Sequence, residues 1–484
     1  MFTPWVEDSR FTLANAEVAK SEPLYADHVK IYPQRIFGRF RVIKWGALGI
    51  LLAIYYLAPW LRWDRGVGRP DQALLIDMPG RRAYFFWVEI WPQEVYYLAG
   101  LLILGAIGLF LATALLGRVW CGFTCPQTVW TDLFMQVERW VEGDRNARIK
   151  LDNGPWSLRK LRLKAGKHAA WLLIAAATGG AWVMYFNDAP TLTRDLLHFH
   201  ASLTQVGFIG LFTATTYLLA GWAREQVCIY MCPWPRFQGA MFDEHSLLVT
   251  YEGWRGEPRG KKKAKEADRL GDCIDCDLCV NVCPTGVDIR EGQQLACIGC
   301  GLCIDACNSV MAKLGRPPEL ITYDSLSNSA ARAAGKPPRY KMVRTRTVIY
   351  AIGLVLVVAA MLVSLTIRAT MEVTVQADRS PLFVKLGNGE IQNGFTLKIS
   401  NKDPAPAGYR VSATGIDGLS IKIIGAEPAS LTVGGDSVGT FRMLLKTPRE
   451  SLKRKSNDIV ITAVNITTGE ESQHDAIFHG PGDE

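Results

Sequence analysis

The 484-residue chain has no cysteine outside three tight groups, which excludes most ordinary uses of the residue. Twelve cysteines fall at Cys121 and Cys125, at Cys228 and Cys232, and eight times from Cys273 to Cys307. An even count invites a disulfide framework. The topology argued below places every cysteine on the reducing side of a membrane, where disulfides are rare. No Gly-rich fingerprint follows an expected strand and no flavin motif stands out, so no dinucleotide site is evident. The first 40 residues are charged and lack an early apolar core or small-residue cleavage site, so no cleavable signal peptide is expected. Charge is sparse as well, at 21% of residues against 49% hydrophobic. That mixture belongs to a membrane protein with polar domains between and after its spans.

Five apolar stretches approach the roughly 20 residues that a helix needs to cross a bilayer. They run over Val42–Leu61, Val95–Leu116, Ala169–Phe186, Leu203–Trp222 and Thr347–Ile367. The net charge of +8 does not point to nucleic acid, because the cations cluster in alternate loops. Lys and Arg number 7 up to Lys44, 10 over Arg118–Lys167 and 18 over Arg224–Arg346, against 5 over Arg62–Glu94 and 1 over Asn187–Ser202. The basic segments are therefore expected inside, in the cytoplasm, and the carboxyl terminus outside. Trp60, Trp63, Trp87 and Trp91 suit the outer interface, and Ala83–Pro92 is a candidate re-entrant segment.

From Met371 onward the pattern changes. Short alternating runs (Glu372–Val375, Phe395–Ile399, Ser420–Ile424, Thr440–Leu445, Asp458–Val464) are divided by turns at Gly387–Gly389 and Gly434–Asp436. About seven strands argue for an immunoglobulin-type sandwich without a disulfide, a docking or positioning module rather than a catalytic one.

The chain is thus expected to be a multi-domain membrane protein: an α-helical bundle of five spans, a ferredoxin-like cytoplasmic insert and an all-β immunoglobulin-like carboxyl-terminal sandwich. The expected boundaries are 1–41 (inner segment), 42–223 (four helices), 224–346 (insert, with the ferredoxin module at about 264–315), 347–367 (fifth helix) and 371–484 (sandwich).

The insert carries CIDCDLCVNVCP (Cys273–Pro284) and CIGCGLCIDACN (Cys297–Asn308). Each is C-x2-C-x2-C-x3-C, the spacing of two-cluster 4Fe–4S ferredoxins. Three thiolates on one turn grip three corners of a cubane, and the other motif supplies the fourth. Cys273, Cys276, Cys279 and Cys307 are therefore expected to hold one cluster, and Cys297, Cys300, Cys303 and Cys283 the other. Zinc requires two cysteine pairs and not this doubled run of four. Asn308 stands where the first copy has Pro284, which alters the turn without removing a ligand.

The remaining cysteines lie in WCGFTCPQ (Trp120–Gln127) and VCIYMCPW (Val227–Trp234), each C-x3-C-P just past the inner end of a span. On a helix, residues four apart share a face, and the prolines mark a bend. Two such pairs can converge into one four-sulfur site for Cu(I), zinc or a third iron–sulfur cluster. Met231 could add a thioether, and Arg118, Arg224 and Arg236 would favour thiolate. Otherwise these cysteines are small buried residues at helix ends.

These paired motifs, the doubled ferredoxin motif before the last span and the terminal sandwich together resemble the FixG/RdxA/CcoG family of accessory proteins to cbb3-type cytochrome c oxidase. Cys121–Phe134 and Cys228–Asp243 carry the likeness most strongly. The resemblance implies a bacterial inner-membrane cupric reductase supplying Cu(I) to downstream chaperones or transporters for oxidase assembly. Cys121, Cys125, Cys228 and Cys232 are then the candidates for copper reduction or binding, with copper as substrate or transient ligand. The residues alone leave two alternatives: a quinol-linked electron-transfer subunit, and a non-catalytic redox-sensing assembly scaffold. Among weaker features, His198 and His200 suit an interface, His168 suits headgroups, and the run from Lys261 suits an anionic partner or lipid. Ala330–Arg346 reads as a juxtamembrane linker.

Overall fold

The computed structural model describes residues 30–66, 69–260, 270–403, 405–452 and 454–481; the amino-terminal 29 residues and the run from Lys261 lie outside them. The chain divides into two compact units, Met1–Ala359 and Ala360–Glu484.

In the first unit, α1 (Arg39–Leu57) leads to a small antiparallel sheet of β1 (Leu74–Asp77), β2 (Arg82–Phe85) and β3 (Val88–Ile90). This sheet replaces the candidate re-entrant segment. Its backbone bonds are satisfied between strands, and its cations are compensated locally. Arg82 pairs with Glu89 at 2.9 Å and lies over the Trp91 ring, while Arg65 donates to the carbonyls of Pro70, Gln72, Ala73 and Phe86. Trp91 is consequently buried rather than lodged at an interface. Helices α2 (Tyr96–Leu116), α3 (Pro126–Glu142), α4 (Arg145–Asn153), α5 (Leu158–Met184), α6 (Ala189–Leu197) and α7 (Leu203–Thr216) follow. The last of these continues as a π-helical segment to Ala223.

Four described helices, not five, are long and apolar enough to cross a membrane: Arg39–Trp60, Pro92–Leu116, Leu203–Ala223 and Thr345–Thr366. The expected third span lies in α5, which does not qualify. Its first three turns carry Arg159, Lys160, Arg162, Lys164 and Lys167, and Thr178-Gly179-Gly180 interrupts its apolar half. At Gly179, a β-carbon would stand 2.7 Å from the Ile209 carbonyl oxygen, so glycine permits α5 and α7 to pack backbone to backbone. His168 does not face headgroups; its Nδ1 lies 2.8 Å from the Tyr217 hydroxyl.

Helix α3 is the hub, because it carries three buried carboxylates. Asp132 accepts both contacts from Arg41 of α1, at 2.9 and 3.0 Å, with Lys44 at 4.0 Å. Glu138 takes Arg148 at 2.9 Å, Arg224 at 3.1 Å and Lys167 at 3.5 Å. Glu142 takes Lys164 at 2.9 Å and Lys167 at 3.0 Å. Burial pushes the Glu138 carboxyl up, but Arg224, Arg148 and Lys167 outweigh it and hold it at about 2.

The insert follows α8 (Trp234–Met241). A two-stranded sheet, β4 (Leu248–Tyr251) with β5 (Ile321–Asp324), brackets the ferredoxin motifs. The short helices α9 (Gly253–Gly256) and α10 (Leu278–Asn281) precede the longer α11 (Leu302–Lys313). Asn308 sits within α11, where its side chain accepts from the Glu319 amide at 2.8 Å. Proline at that place would break the helix, as Pro284 does after the first motif. Helix α12 (Leu326–Ala333) occupies the start of the expected linker, and Arg332 and Arg344 pin that segment to Asp324, Glu252 and Asp243. Helix α13 (Thr345–Thr366) closes the unit.

The second unit is the sandwich: β10-β12-β8-β6 with β7 on β8, facing β11-β9-β13-β14. In chain order these are β6 (Met371–Ala377), β7 (Val384–Lys385), β8 (Glu390–Asn401), β9 (Ala407–Thr414), β10 (Ser420–Ile423), β11 (Leu431–Val433), β12 (Ser437–Pro448), β13 (Ser456–Asn465) and β14 (Glu471–His479). Phe395, Leu397, Ile399, Tyr409, Met443, Leu445, Ile461 and Phe478 fill the space between the sheets.

Replacing Glu138 by Gln leaves three buried cations short of a counter-charge, a loss on the order of 3–5 kcal/mol. Denaturant titration in detergent checks this; a loss under about 1 kcal/mol would mean that the network does not hold α3.

Candidate functional site

Twelve cysteines form three groups of four in space. Cys273, Cys276, Cys279 and Cys307 line one small cavity, walled by Tyr251, Met311 and Ile321. Cys283, Cys297, Cys300 and Cys303 line a second, walled by Val249, Val287 and Leu302. In each, three cysteines come from one motif and the fourth from the other. Burial pushes the Cys279 thiol up to about 11 and those of Cys297 and Cys307 to about 12. Thiolates held in such dry pockets need the positive charge of bound metal beside them, so the donor set fits an iron–sulfur cluster in each.

The two copies differ at equivalent places. Asp275 and Asp277 in the first, and Gly299 and Gly301 in the second, all have left-handed backbone, with φ of 52°, 54°, 71° and 71°. Asp tolerates that region and glycine adopts it freely. The second copy needs glycine for room: a side chain at Gly299 would meet Arg118, and one at Gly301 would meet the Phe40 ring. The second copy therefore lies against the membrane helices, and the first lies away from them.

Asp305, between Cys303 and Cys307, fixes that arrangement. Its carboxylate accepts from the amides of Phe40 at 3.2 Å and Arg41 at 2.8 Å. These are orphan donors of the first turn of α1, where the helix dipole favours an anion. Gly38 leaves the space into which this carboxylate fits.

The third group is Cys121, Cys125, Cys228 and Cys232, which line one cavity of about 110 Å³ together with Arg118, Gln127, Thr128, Trp234 and Leu295–Ile298. The C-x3-C segments are π-helical turns, Trp120–Thr124 and Val227–Met231, rather than α-helix. The Cys125 N–H closes the first by donating to the Trp120 carbonyl at 2.8 Å, and the Cys232 N–H closes the second by donating to the Val227 carbonyl at 2.7 Å. Each second cysteine is extended, so Pro126 starts α3 and Pro233 precedes α8. The wider turn sets the two sulfurs differently from the helical face expected. π-Turns are rare and gather at functional sites.

This cavity and the second cluster site share a wall. Cys297 lines both. A β-carbon at Gly122 would stand 3.1 Å from Cys300 Cα and from the carbonyl oxygens of Ile298 and Gly299. Backbone meets backbone here, and a side chain would push the loop back by a few tenths of an ångström.

Two expectations fail. Arg118, Arg224 and Arg236 do not make thiolates of Cys121 and Cys228. Burial, then the neighbouring Cys125, pushes Cys121 up to about 12, and Arg118 only partly offsets it. Burial, then Cys125, Cys232 and Glu225, raises Cys228 to about 12. Arg224 is turned to Glu138, and Arg236 does not line the cavity. Met231 is exposed and does not line it either. Gln238, fully buried with Oε1 3.4 Å from Cys121 Sγ, carried no sequence signal, since a lone Gln on a short helix looks like any other. His198 and His200 stack in the open, with His198 Nδ1 2.8 Å from its own helix at the Arg194 carbonyl.

Residues 223–326 match the family described as a 4Fe–4S dicluster domain, and residues 98–147 match a 4Fe–4S binding domain. Residues 361–481 match the Ig-like fold at the carboxyl terminus of FixG. The chain is 48% identical to protein RdxB of Cereibacter sphaeroides over 96% of its own length and 98% of that protein's. It is 44% identical to the nitrogen fixation protein FixG of Rhizobium meliloti, over 95% and 94%, and 48% identical to protein RdxA of C. sphaeroides, over 89% and 92%.

With Cys121 and Cys228 raised to about 12, both are protonated at pH 7 in the metal-free site, and a bound soft metal must displace their protons. Cu(I) affinity is expected to rise about tenfold per pH unit for each proton displaced between pH 6 and 8. Competition titrations at three pH values check this, and a flat profile would contradict it.

Proposed function

Because the chain belongs to the FixG/RdxA family of membrane iron–sulfur electron-transfer proteins, we propose that it carries electrons through its two clusters to the four-cysteine site and there reduces Cu(II) to Cu(I). The observation that carries this reading is the shared wall, where the Cys297–Cys300 loop lies against Cys121-Gly122. In this reading Cys273, Cys276, Cys279 and Cys307 hold the distal cluster, and Cys283, Cys297, Cys300 and Cys303 hold the membrane-side one. Each cluster supplies one-electron chemistry. Cys276 is exposed, which offers a donor an edge to approach, and Cys232 is exposed at the other end, which offers copper an entry. Thiolates retain Cu(I) because it is the softer ion. Gln238 sits against Cys121 and limits how that sulfur turns.

The orientation that fits is the one in which the basic, cysteine-bearing side faces the cytoplasm of a bacterial inner membrane and the sandwich lies outside. Beyond the four qualifying helices, it requires the apolar second half of α5 to enter the bilayer while the charged first turns stay on the cytoplasmic side with α3 and α4. A copper chaperone or transporter serving cbb3-type oxidase assembly would then receive the Cu(I).

A second reading has one observation in its favour. An apolar cavity of about 380 Å³, lined by Tyr55, Trp130, Trp182 and Phe212, also touches Pro126 and Gln127, the residues after Cys125. A quinol there would be a membrane-borne electron donor.

The test uses dithionite-reduced, desalted protein with Cu(II) and a Cu(I)-specific chelator under anaerobic conditions. Wild type is expected to form Cu(I) rapidly, and a variant with Ser at Cys121, Cys125, Cys228 and Cys232 is expected not to, at equal iron content. Equal rates would sink the copper reading and favour the quinol-linked one. Gly122→Val, which keeps every cysteine, is expected to slow Cu(I) formation tenfold or more with iron unchanged; a wild-type rate would mean that the shared wall does not carry the electron.

A further inference from the structure

Arg118 is a buried cation without an anion. Its guanidinium donates to the carbonyls of Cys297 at 2.6 Å, Pro235 at 3.2 Å and Gln294 at 3.4 Å, and to that of Leu295. No carboxylate pairs with it among the described residues, and its Nε has no hydrogen-bond partner. It is 6% exposed. Those carbonyls and the Phe242 ring face, 5.5 Å away, solvate the guanidinium without neutralising it, and a buried cation lacking a counter-charge favours negative charge beside it. The groups that flank it are sulfurs: Arg118 lines the four-cysteine cavity and is bonded to the backbone of Cys297.

The distal site is built the other way. Arg290 stands beside Cys279, but it is surrounded by Asp275 at 2.8 Å, Asp277 at 2.7 Å and Asp288 at 2.6 Å. The same four-thiol chemistry thus sits beside a cation paired with aspartates at one end and beside a cation with no carboxylate partner at the other. The other charges on the membrane side do not cancel Arg118. Asp132 is shared by Arg41 and Lys44, and the Asp305 carboxylate is taken up by the first amides of α1.

We infer that the counter-charge of Arg118 is the metal–thiolate charge on either side of it, and that it favours the more negative, reduced state of the membrane-side cluster. One electron leaves the distal cluster, which is oxidised by one unit, and arrives on the membrane-side cluster, which is reduced by one unit; no bond forms or breaks and no proton moves. Arg118 thereby sets the direction of electron flow toward the membrane. This rests on the two-cluster electron-transfer reading and not on copper being the acceptor.

The test is an EPR-monitored redox titration of the full-length protein in detergent, without copper, after an iron assay. The membrane-side cluster is identified by the signal that Cys300→Ser alters. Arg118→Met is expected to shift the electron's distribution away from that cluster tenfold or more, equivalent to lowering its midpoint by about 59 mV for one electron, and to leave the distal cluster in place. Arg118→Lys, which keeps the charge, is expected to stay within about threefold of wild type. Leu295→Glu tests the same charge without removing the arginine. Leu295 is more than half exposed, so the change is tolerated sterically, and its carboxylate would supply the counter-ion that Arg118 lacks. It is expected to lower the same midpoint. If neither Arg118→Met nor Leu295→Glu moves that midpoint, or if Arg118→Lys falls as far as Arg118→Met, Arg118 is only a mechanical clip between segments and the inference is wrong. Should Arg118→Met lose its iron, Leu295→Glu decides the question by itself.

Discussion

The contact on which the rest of the first unit depends is the one at Gly122. There a turn carrying one group of cysteines touches the loop carrying another, main chain against main chain. Electron transfer weakens steeply with distance, so two redox sites that share a wall are coupled in a way that two sites on separate domains are not. The surrounding structure holds this wall still. Asp305 fastens the ferredoxin insert to the start of α1, Tyr323 bonds to the end of α2 at the Leu116 carbonyl, and the carboxylates of α3 fasten α1, α4 and α5 to one another.

Those carboxylates also show what buried charge does in this fold. Removing ions from water is costly, and a well-packed apolar replacement is often no less stable. What Asp132, Glu138 and Glu142 contribute is register, because each accepts cations from particular places on particular helices. The same reasoning separates the two ferredoxin copies. Arg290 is paired with three aspartates, whereas Arg118 has only backbone carbonyls as acceptors and no carboxylate among the described residues. Two sites of equal composition thus have different charges set beside them.

Much of the architecture was legible because its signals are local. The expected strands over Glu372–Val375, Phe395–Ile399 and Asp458–Val464 fall inside β6, β8 and β13, where alternation of period two marks a half-buried sheet. Strands β9, β11 and β14 were not anticipated; β11 is only three residues long, and Gly408 and Arg410 blur the alternation in β9. Helix α5 misled in the other direction. Its apolar half resembles a span, yet its charged first turns are bound to α3 and α4 by pairs whose partners lie 12 to 29 residues away in the chain. Ala83–Pro92 looked apolar enough to dip into a membrane, but the arginines near it find carbonyls and a carboxylate within the same loop.

The sequence by itself determined which cysteines have the spacing of cluster ligands, where the long apolar helices run and that the chain ends in a sandwich. Each of these follows from spacing or periodicity within a few tens of residues, and the chain carries them whatever its tertiary packing. Only the tertiary structure decided that the second ferredoxin motif faces the membrane, that the C-x3-C segments are π-turns, and that Gln238 rather than Met231 stands at Cys121. It also decided that burial raises the Cys121 and Cys228 thiols, with Arg118 only partly offsetting it at Cys121. These outcomes depend on desolvation and on contacts between residues more than a hundred positions apart, which no local pattern encodes.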